Sequence, residues 1–271
     1  MSSVFSAAGL KACATVVTLS AAVAALEATA PPLRVCADPN NMPFSNARGQ
    51  GFENKIAELV ARDLGRPLAY FWSPQRRGFV RNTLSAGRCD LMMGVPARFD
   101  RVQSTRPYYR SSYAFVSRRD RHLRVRSFDD ARLKTLKIGI QITGDDYNNP
   151  PAAQALAARH LADNVRGYTV YGDYSKVDPQ REIVDAVADG RVDIAVVWGP
   201  FAGYYARREP TAIDVVPVGA GADAPGLAFA FDIAMGVRRE DHTLRDQLDA
   251  IIVRRRADIR RILTSYGVPL L

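Results

Sequence analysis

The stretch LRVCADPNNMPF, residues 33–44, opens as an apolar run, Leu33 to Ala37, and breaks at once into turn formers. The run has the β-branched and small side chains of a short strand. Pro39 and Pro43 fix φ and lack an N–H, while Asp38, Asn40 and Asn41 bond their own backbone and tolerate left-handed geometry. Residues 51–64 then show helical spacing, with Ile56, Leu59, Val60 and Leu64 on one face and Gly65 at the end. A strand, a polar loop and a helix form the unit that places a ligand at the carboxyl end of an open parallel sheet. The loop is therefore either a binding surface or an ordinary βα connection, and this stretch alone leaves the choice open.

Outward from there the alternation continues. Residues 68–71 read as a strand. Residues 77–86 read as a helix with Phe79, Val80, Thr83 and Leu84 inward and Gly87 as cap, and 90–95 as a strand apolar on both faces. This order predicts a parallel sheet covered by helices. Residues 111–117 leave that lobe as an extended segment, and a charged stretch, 118–126, follows. The rhythm restarts with strands at 137–142, 168–171, 192–198 and 214–218 and helices at 152–161, 179–188 and 200–207. GAGADAPG, residues 219–226, is a linker; 227–237 is extended, and 244–263 is one long helix with a stripe from Leu244 to Leu263. A chain that leaves one αβ lobe, builds a second and returns has two hinge strands, expected near 113–117 and 230–237. Between the lobes lies a cleft that closes on small ligands by hinge motion.

The 271 residues leave room for two such cores. The first thirty stand apart: an n-region ending at Lys11, an apolar stretch over 12–26, and Ala28-Thr29-Ala30 before Pro31 and Pro32. This is a secretory signal peptide, too short and small-sided to span a bilayer, so a soluble protein exported to a bacterial periplasm is expected. The expected domains are 1–30 as signal, 31–115 with 230–271 as lobe 1, and 116–229 as lobe 2. Cleavage removes one base, Lys11, and one acid, Glu27, leaving the net charge at +9. That charge suits acidic proteins or anionic surfaces, and no nucleic-acid motif accompanies it. Cleavage also removes Cys13. Cys36 and Cys89 then form either a disulfide, worth about 4 kcal/mol for a loop of roughly fifty residues, or two buried thiols.

Catalytic chemistry finds little support. The three histidines, His122, His160 and His242, are scattered, and no HExxH, GxSxG or CxxC occurs. Asp38, Asp145, Asp146 and Asp173 could gather around a hard cation, or serve only as caps and solvated groups. Phe44, Trp72, Tyr108, Tyr109, Tyr147, Trp198 and Tyr204 fall at strand ends or in loops, where they line either a cleft or the core. Arg76, Arg77, Arg81 and Arg88, with Arg98 and Arg101 behind them, make either a solvated face or a patch for an acidic partner.

These pieces resemble the type 2 periplasmic solute-binding proteins that serve amino-acid importers, over essentially the whole mature chain. The matching phrases, in order, are VCADPNNMPF, GFENKIAELVARDLG, LSAGRCDLMMG, TRPYYRSSYAFVSRR, LKIGIQ and DGRVDIAVVWGP. CADPNNMPFSN, GFENKIAEL, PQRRGFVRNTL and GVPARFD further resemble the subgroup associated with quinoprotein dehydrogenases, the J-type proteins encoded beside methanol dehydrogenase. The resemblance implies an α/β, two-lobed fold, each lobe a mostly parallel sheet flanked by helices and joined by two hinge strands. It also implies a non-enzymatic accessory, without a cofactor, that matures or activates a pyrroloquinoline-quinone (PQQ) dependent alcohol dehydrogenase acting with a cytochrome c.

Departures from the importer pattern sharpen this expectation. Amino-acid binders carry an Asp after the VDxxVV strand to hold the ligand ammonium, where this chain has Trp198. Arg98 is the nearest match to their carboxylate-gripping Arg, at shorter spacing. Asp145 and Asp146 stand where their second-lobe helix starts with Gly-Thr, and two carboxylates there repel an anionic ligand. The expected ligand or partner site is Asp38, Asn40, Phe44, Arg98, Tyr108, Asp145 and Trp198, on a protein acting as a monomer. An importer subunit delivering a small solute is the alternative reading, and an enzyme such as a dehydratase is the third.

Overall fold

The computed structural model describes residues 30–142, 150–170, 174–219 and 227–271. Residues 1–29 of the expected signal peptide, Asp145, Asp146, Tyr147, Asp173 and residues 220–226 of the expected linker lie outside the described residues.

In the first lobe, β1 (Leu33–Ala37) pairs in parallel with β4 (Leu68–Trp72) and β5 (Leu91–Pro96). A small hairpin of β2 (Asn40–Asn41) and β3 (Ser45–Asn46) follows β1 and leads to α1 (Phe52–Asp63). Asn54 caps α1 by accepting from the Gly51 N–H, 3.0 Å away. The expected helix over 77–86 shrinks to α2 (Phe79–Asn82). Thr83 ends it: its hydroxyl donates to the Phe79 carbonyl at 2.6 Å, and its backbone turns to φ −120°, ψ −84°. The inward residues still pack, because Phe79 and Leu84 join Cys36, Cys89 and Met92 in an apolar cluster. Cys36 and Cys89 are bonded as a disulfide, with Cα atoms 5.5 Å apart. The short turns after α2 bring the two cysteines together.

After the two-residue β6 (Gln103–Ser104) comes β7 (Tyr109–Arg118), which belongs to both lobes. Residues 109–112 pair antiparallel with β12 (Ala230–Val237). Residues 113–118 pair antiparallel with β10 (Ile194–Trp198) and β11 (Ile213–Pro217). In the second lobe β8 (Ile138–Ile142) lies parallel to β10 and to β9 (Val165–Thr169). The order β4-β1-β5-β12-β7-β10-β8-β9 thus runs unbroken through both lobes. The molecule is a two-lobed α/β fold whose crossing strands are β7 and β12.

Helices α3 (Pro151–Ala157), α4 (Glu182–Ala188) and α5 (Gly199–Ala206) flank the second lobe. α3 and α4 are shorter than their apolar spacing predicts, the stretch before α4 being a 3₁₀ turn over Pro179–Arg181, whereas α5 keeps its expected length within one residue of the expected position. The expected long helix over 244–263 is two, α6 (His242–Arg254) and α7 (Arg256–Ser265), broken at Arg255 with φ −101° and ψ 15°. The break lets Arg254 and Arg255 both reach the buried Asp63 carboxylate at the end of α1, at 2.8 and 2.7 Å. Among the described residues no helix is long and apolar enough to cross a membrane.

A candidate ligand cavity between the lobes

A cavity of about 420 Å³ opens where the carboxyl end of β1 faces β10. Seven of its eighteen described lining residues are aromatic. Phe44 follows the loop after β1, Tyr109 and Tyr113 come from β7, Trp198 ends β10, Phe201 starts α5 and Phe231 lies on β12. The register sets Trp198 opposite Tyr113, with ring centres 5.4 Å apart, and Phe231 lies 5.9 Å from Trp198. Phe44 bridges the lobes, 5.2 Å from Phe52 and 6.0 Å from Phe201. Burial alone pushes the Tyr113 phenol up to about 12.

The loop after β1 binds the second lobe directly. Asp38 is almost fully buried, and its carboxylate accepts the N–H groups of Asn40 and Gln75 at 2.8 and 2.6 Å and the hydroxyl of Tyr174. Burial, followed by that bond to Asp38, raises the Tyr174 phenol. The Asn40 amide donates to the Lys176 carbonyl at 2.8 Å, and the Tyr205 hydroxyl donates to the Met42 carbonyl at 3.1 Å. Met42, which precedes a cis proline, packs in a cluster with Phe201, Tyr204 and Tyr205.

The seven expected site residues do not all meet. Asp38, Phe44 and Trp198 line the cavity. Asn40 lies outside the lining, donating to the Lys176 carbonyl, and the neighbouring Asn41 lines the cavity instead. Tyr108 is buried behind the wall in the first-lobe core, its ring 5.0 Å from that of Tyr109. Tyr108 is the residue before β7 begins at Tyr109, and only Tyr109 of the two lines the cavity. Arg98 is exposed on the turn after β5 and lies outside the lining. Asp145 lies outside the described residues.

Of the other residues singled out, Trp72 stacks on Tyr70 and Tyr204 on Tyr266, both away from the lining. Arg76 and Arg88 lie over the rings of Tyr174 and Phe71. No three His, Cys, Asp or Glu among the described residues gather as metal ligands.

The spacing arguments miss Glu53. It sits on the first turn of α1 and lines the cavity floor. Removal from bulk water pushes its carboxyl from 4.5 to about 8. Its proximity adds to burial in raising the phenols of Tyr108 and Tyr109. Gly94 of β5, at φ 69°, passes so near that a Cβ there would collide with Glu53 Oε1.

Residues 33–268 match the model of the bacterial extracellular solute-binding proteins, family 3. The chain belongs to that family. Within it, the chain is 33% identical over 259 residues to protein MoxJ of Methylorubrum extorquens, covering 93% of this chain and 86% of that one. It is also similar to the solved periplasmic binding protein XoxJ of Methylobacterium extorquens AM1, at 36% identity and a TM-score of 0.72, covering 88% of this chain and 99% of that one. MxaJ of Methlophaga aminisulfidivorans MPT superposes with a TM-score of 0.78 at 26% identity, covering 88% and 100%. The resemblance to J-type solute-binding proteins therefore holds across the family match. In this family member, the residue that ends the VDIAVVW strand presents an indole to the cavity.

Proposed function

We propose that the protein is an exported accessory factor of a PQQ-dependent alcohol dehydrogenase, aiding its maturation or activation as a monomer. Its cavity takes an apolar segment of the dehydrogenase, or of the cytochrome c that accepts its electrons, or a small ligand. The observation that carries this reading is the aromatic wall of Trp198, Tyr113 and Phe231, where an importer would hold an amino acid. Among the described lining residues no arginine or lysine stands ready for a ligand carboxylate. The likeness to MoxJ, XoxJ and MxaJ supports the choice of partner. The family is one of solute binders, and we assign no reaction to the chain.

The reading includes cleavage after Ala30, release into the periplasm, and lobes of 31–115 with 230–271 and 116–229. Apolar contacts support this division: one cluster joins Leu33, Phe52 and Leu91 to Met235, Ile259 and Leu263.

The test is a tagged copy recovered from periplasm and analysed by mass spectrometry, with a deletion strain beside it. The accessory role predicts co-purification of the dehydrogenase or its cytochrome and loss of alcohol oxidation with solute uptake intact. Recovery of a small solute alone, with uptake impaired, would establish the importer role instead.

A further inference from the structure

The chain carries 37 lysines and arginines, yet among the described residues none lines the cavity beside the carboxyl group at its floor. Elsewhere buried acids are matched: Asp63 holds Arg254 and Arg255, Asp90 holds Arg34 and Arg238, and Glu209 holds Arg181. Glu53 has no side-chain hydrogen bond or ion pair among the described residues; only its backbone is engaged, the N–H donating to the Phe44 carbonyl at 2.9 Å. The second cavity acid, Asp38, is spent on Asn40, Gln75 and Tyr174. The glycine at position 94 leaves Glu53 room to reach the cavity. The same cavity is lined by the aromatic rings of Phe44, Tyr109, Tyr113, Trp198 and Phe231. Ring faces attract cations, and most strongly when both are out of water.

We propose that the cavity binds an organic monocation, an ammonium group on an apolar body, with Glu53 as its counter-ion and the aromatic walls as its cage. This deepens the reading of the cavity as a binding site and rests on it. The cation carries no carboxylate of its own, since no arginine or lysine among the described lining residues would hold one. An amino-acid zwitterion is thereby disfavoured. Two sources share the chemistry: a free alkyl or aryl ammonium ion, and the lysine side chain of a docking segment.

Proton balance follows from the surroundings. Tyr70 of β4, Tyr108 just before β7 and Tyr109 of β7 lie near Glu53, and burial keeps all three phenols neutral. Asp38 shares the cavity, and no histidine, lysine or arginine does among the described lining residues. Glu53 is mostly protonated near pH 7, with its carboxyl at about 8, so an arriving cation displaces that proton. The amino end of α1 then favours the carboxylate left behind.

The probes are phenethylammonium, its neutral isostere 2-phenylethanol, and an acetylated, amidated pentapeptide with a central lysine, each titrated calorimetrically into the mature protein. The peptide's norleucine version is the control. An ammonium source is expected to bind about tenfold or more tightly than its neutral counterpart, releasing a proton, with affinity rising up to about pH 8. Glu53→Gln should abolish that preference while circular dichroism stays native. Preference for phenethylammonium assigns a free ion, and preference for the lysine peptide over the norleucine peptide assigns a docking side chain. Equal binding of charged and neutral probes, or a preference that survives Glu53→Gln, overturns the proposal. Should the variant not fold, the buffer dependence of the wild-type enthalpy still reads the proton, and no release is the overturning result. Dehydrogenase capture is scored separately: capture without ammonium preference refutes only the cation, and preference without capture refutes only the accessory role.

Discussion

Glu53 makes the native state sensitive to alkali. Its carboxyl rises from 4.5 to about 8 on folding, so the folded protein keeps a proton that the unfolded chain releases. Stability therefore falls as pH rises from about 4.5 to about 8, and stays at the lower level above that. The loss is on the order of 3 kcal/mol, discounted because the side chain keeps some exposure to the cavity. Glu53→Gln is expected to melt with the wild type near pH 4.5 and clearly above it at pH 8.5, as read by thermal scans. A constant offset between the two curves would refute the assignment. Nothing local in GFENKIAEL reveals this role, because an acid in the first turn of an amphipathic helix is ordinary. Gly94 and Tyr109, which give Glu53 its character, lie about forty or more residues away. Trp198 and Phe44 were readable because each ends or follows an apolar run. Tyr108 and Tyr109 are adjacent in TRPYYRSS, and only the start of β7 at Tyr109 tells the lining residue from its neighbour.

At the scale of elements, the apolar runs that became β1, β5, β8 and β10 are legible within a residue or two, since strands buried on both faces read as continuous apolar stretches. Helices were harder. The stripe from Leu244 to Leu263 has no visible interruption, and what breaks it is a distant carboxylate that draws in two consecutive arginines. These arginines hold the Asp63 carboxyl below the usual range. Asp63→Asn should therefore lower the melting temperature above about pH 5 and lose its effect as acid protonates the wild-type group. Matched melts at pH 3 and pH 7 check this. The disulfide ties the turns after α2 to β1. Replacing Cys36 and Cys89 by serine should cost about 2–4 kcal/mol, seen as a lower urea midpoint.

On the scale of the whole molecule, two lobes and a returning chain are readable from the order of runs. Their closure is not, because the pairs that make it lie far apart in sequence. Asp38 with Tyr174, Asn40 with Lys176, and Met42 with Tyr205 each span more than 130 residues. Tyr174→Phe combined with Asn40→Ala removes two of these ties. The pair should open the lobes, giving a larger radius of gyration by small-angle scattering at unchanged secondary structure. An unchanged radius would mean that the apolar contact around Phe44 suffices. β12 fills the space between β5 and β7, and it comes after everything else in both sheets. During synthesis, β5 therefore waits with an open edge until nearly the whole chain has emerged. The second lobe can close on its own as an insert, whereas the first is finished only by its last strand and helices. The order of assembly is inside-out, and the period of greatest exposure to misassembly falls just before the final forty residues arrive.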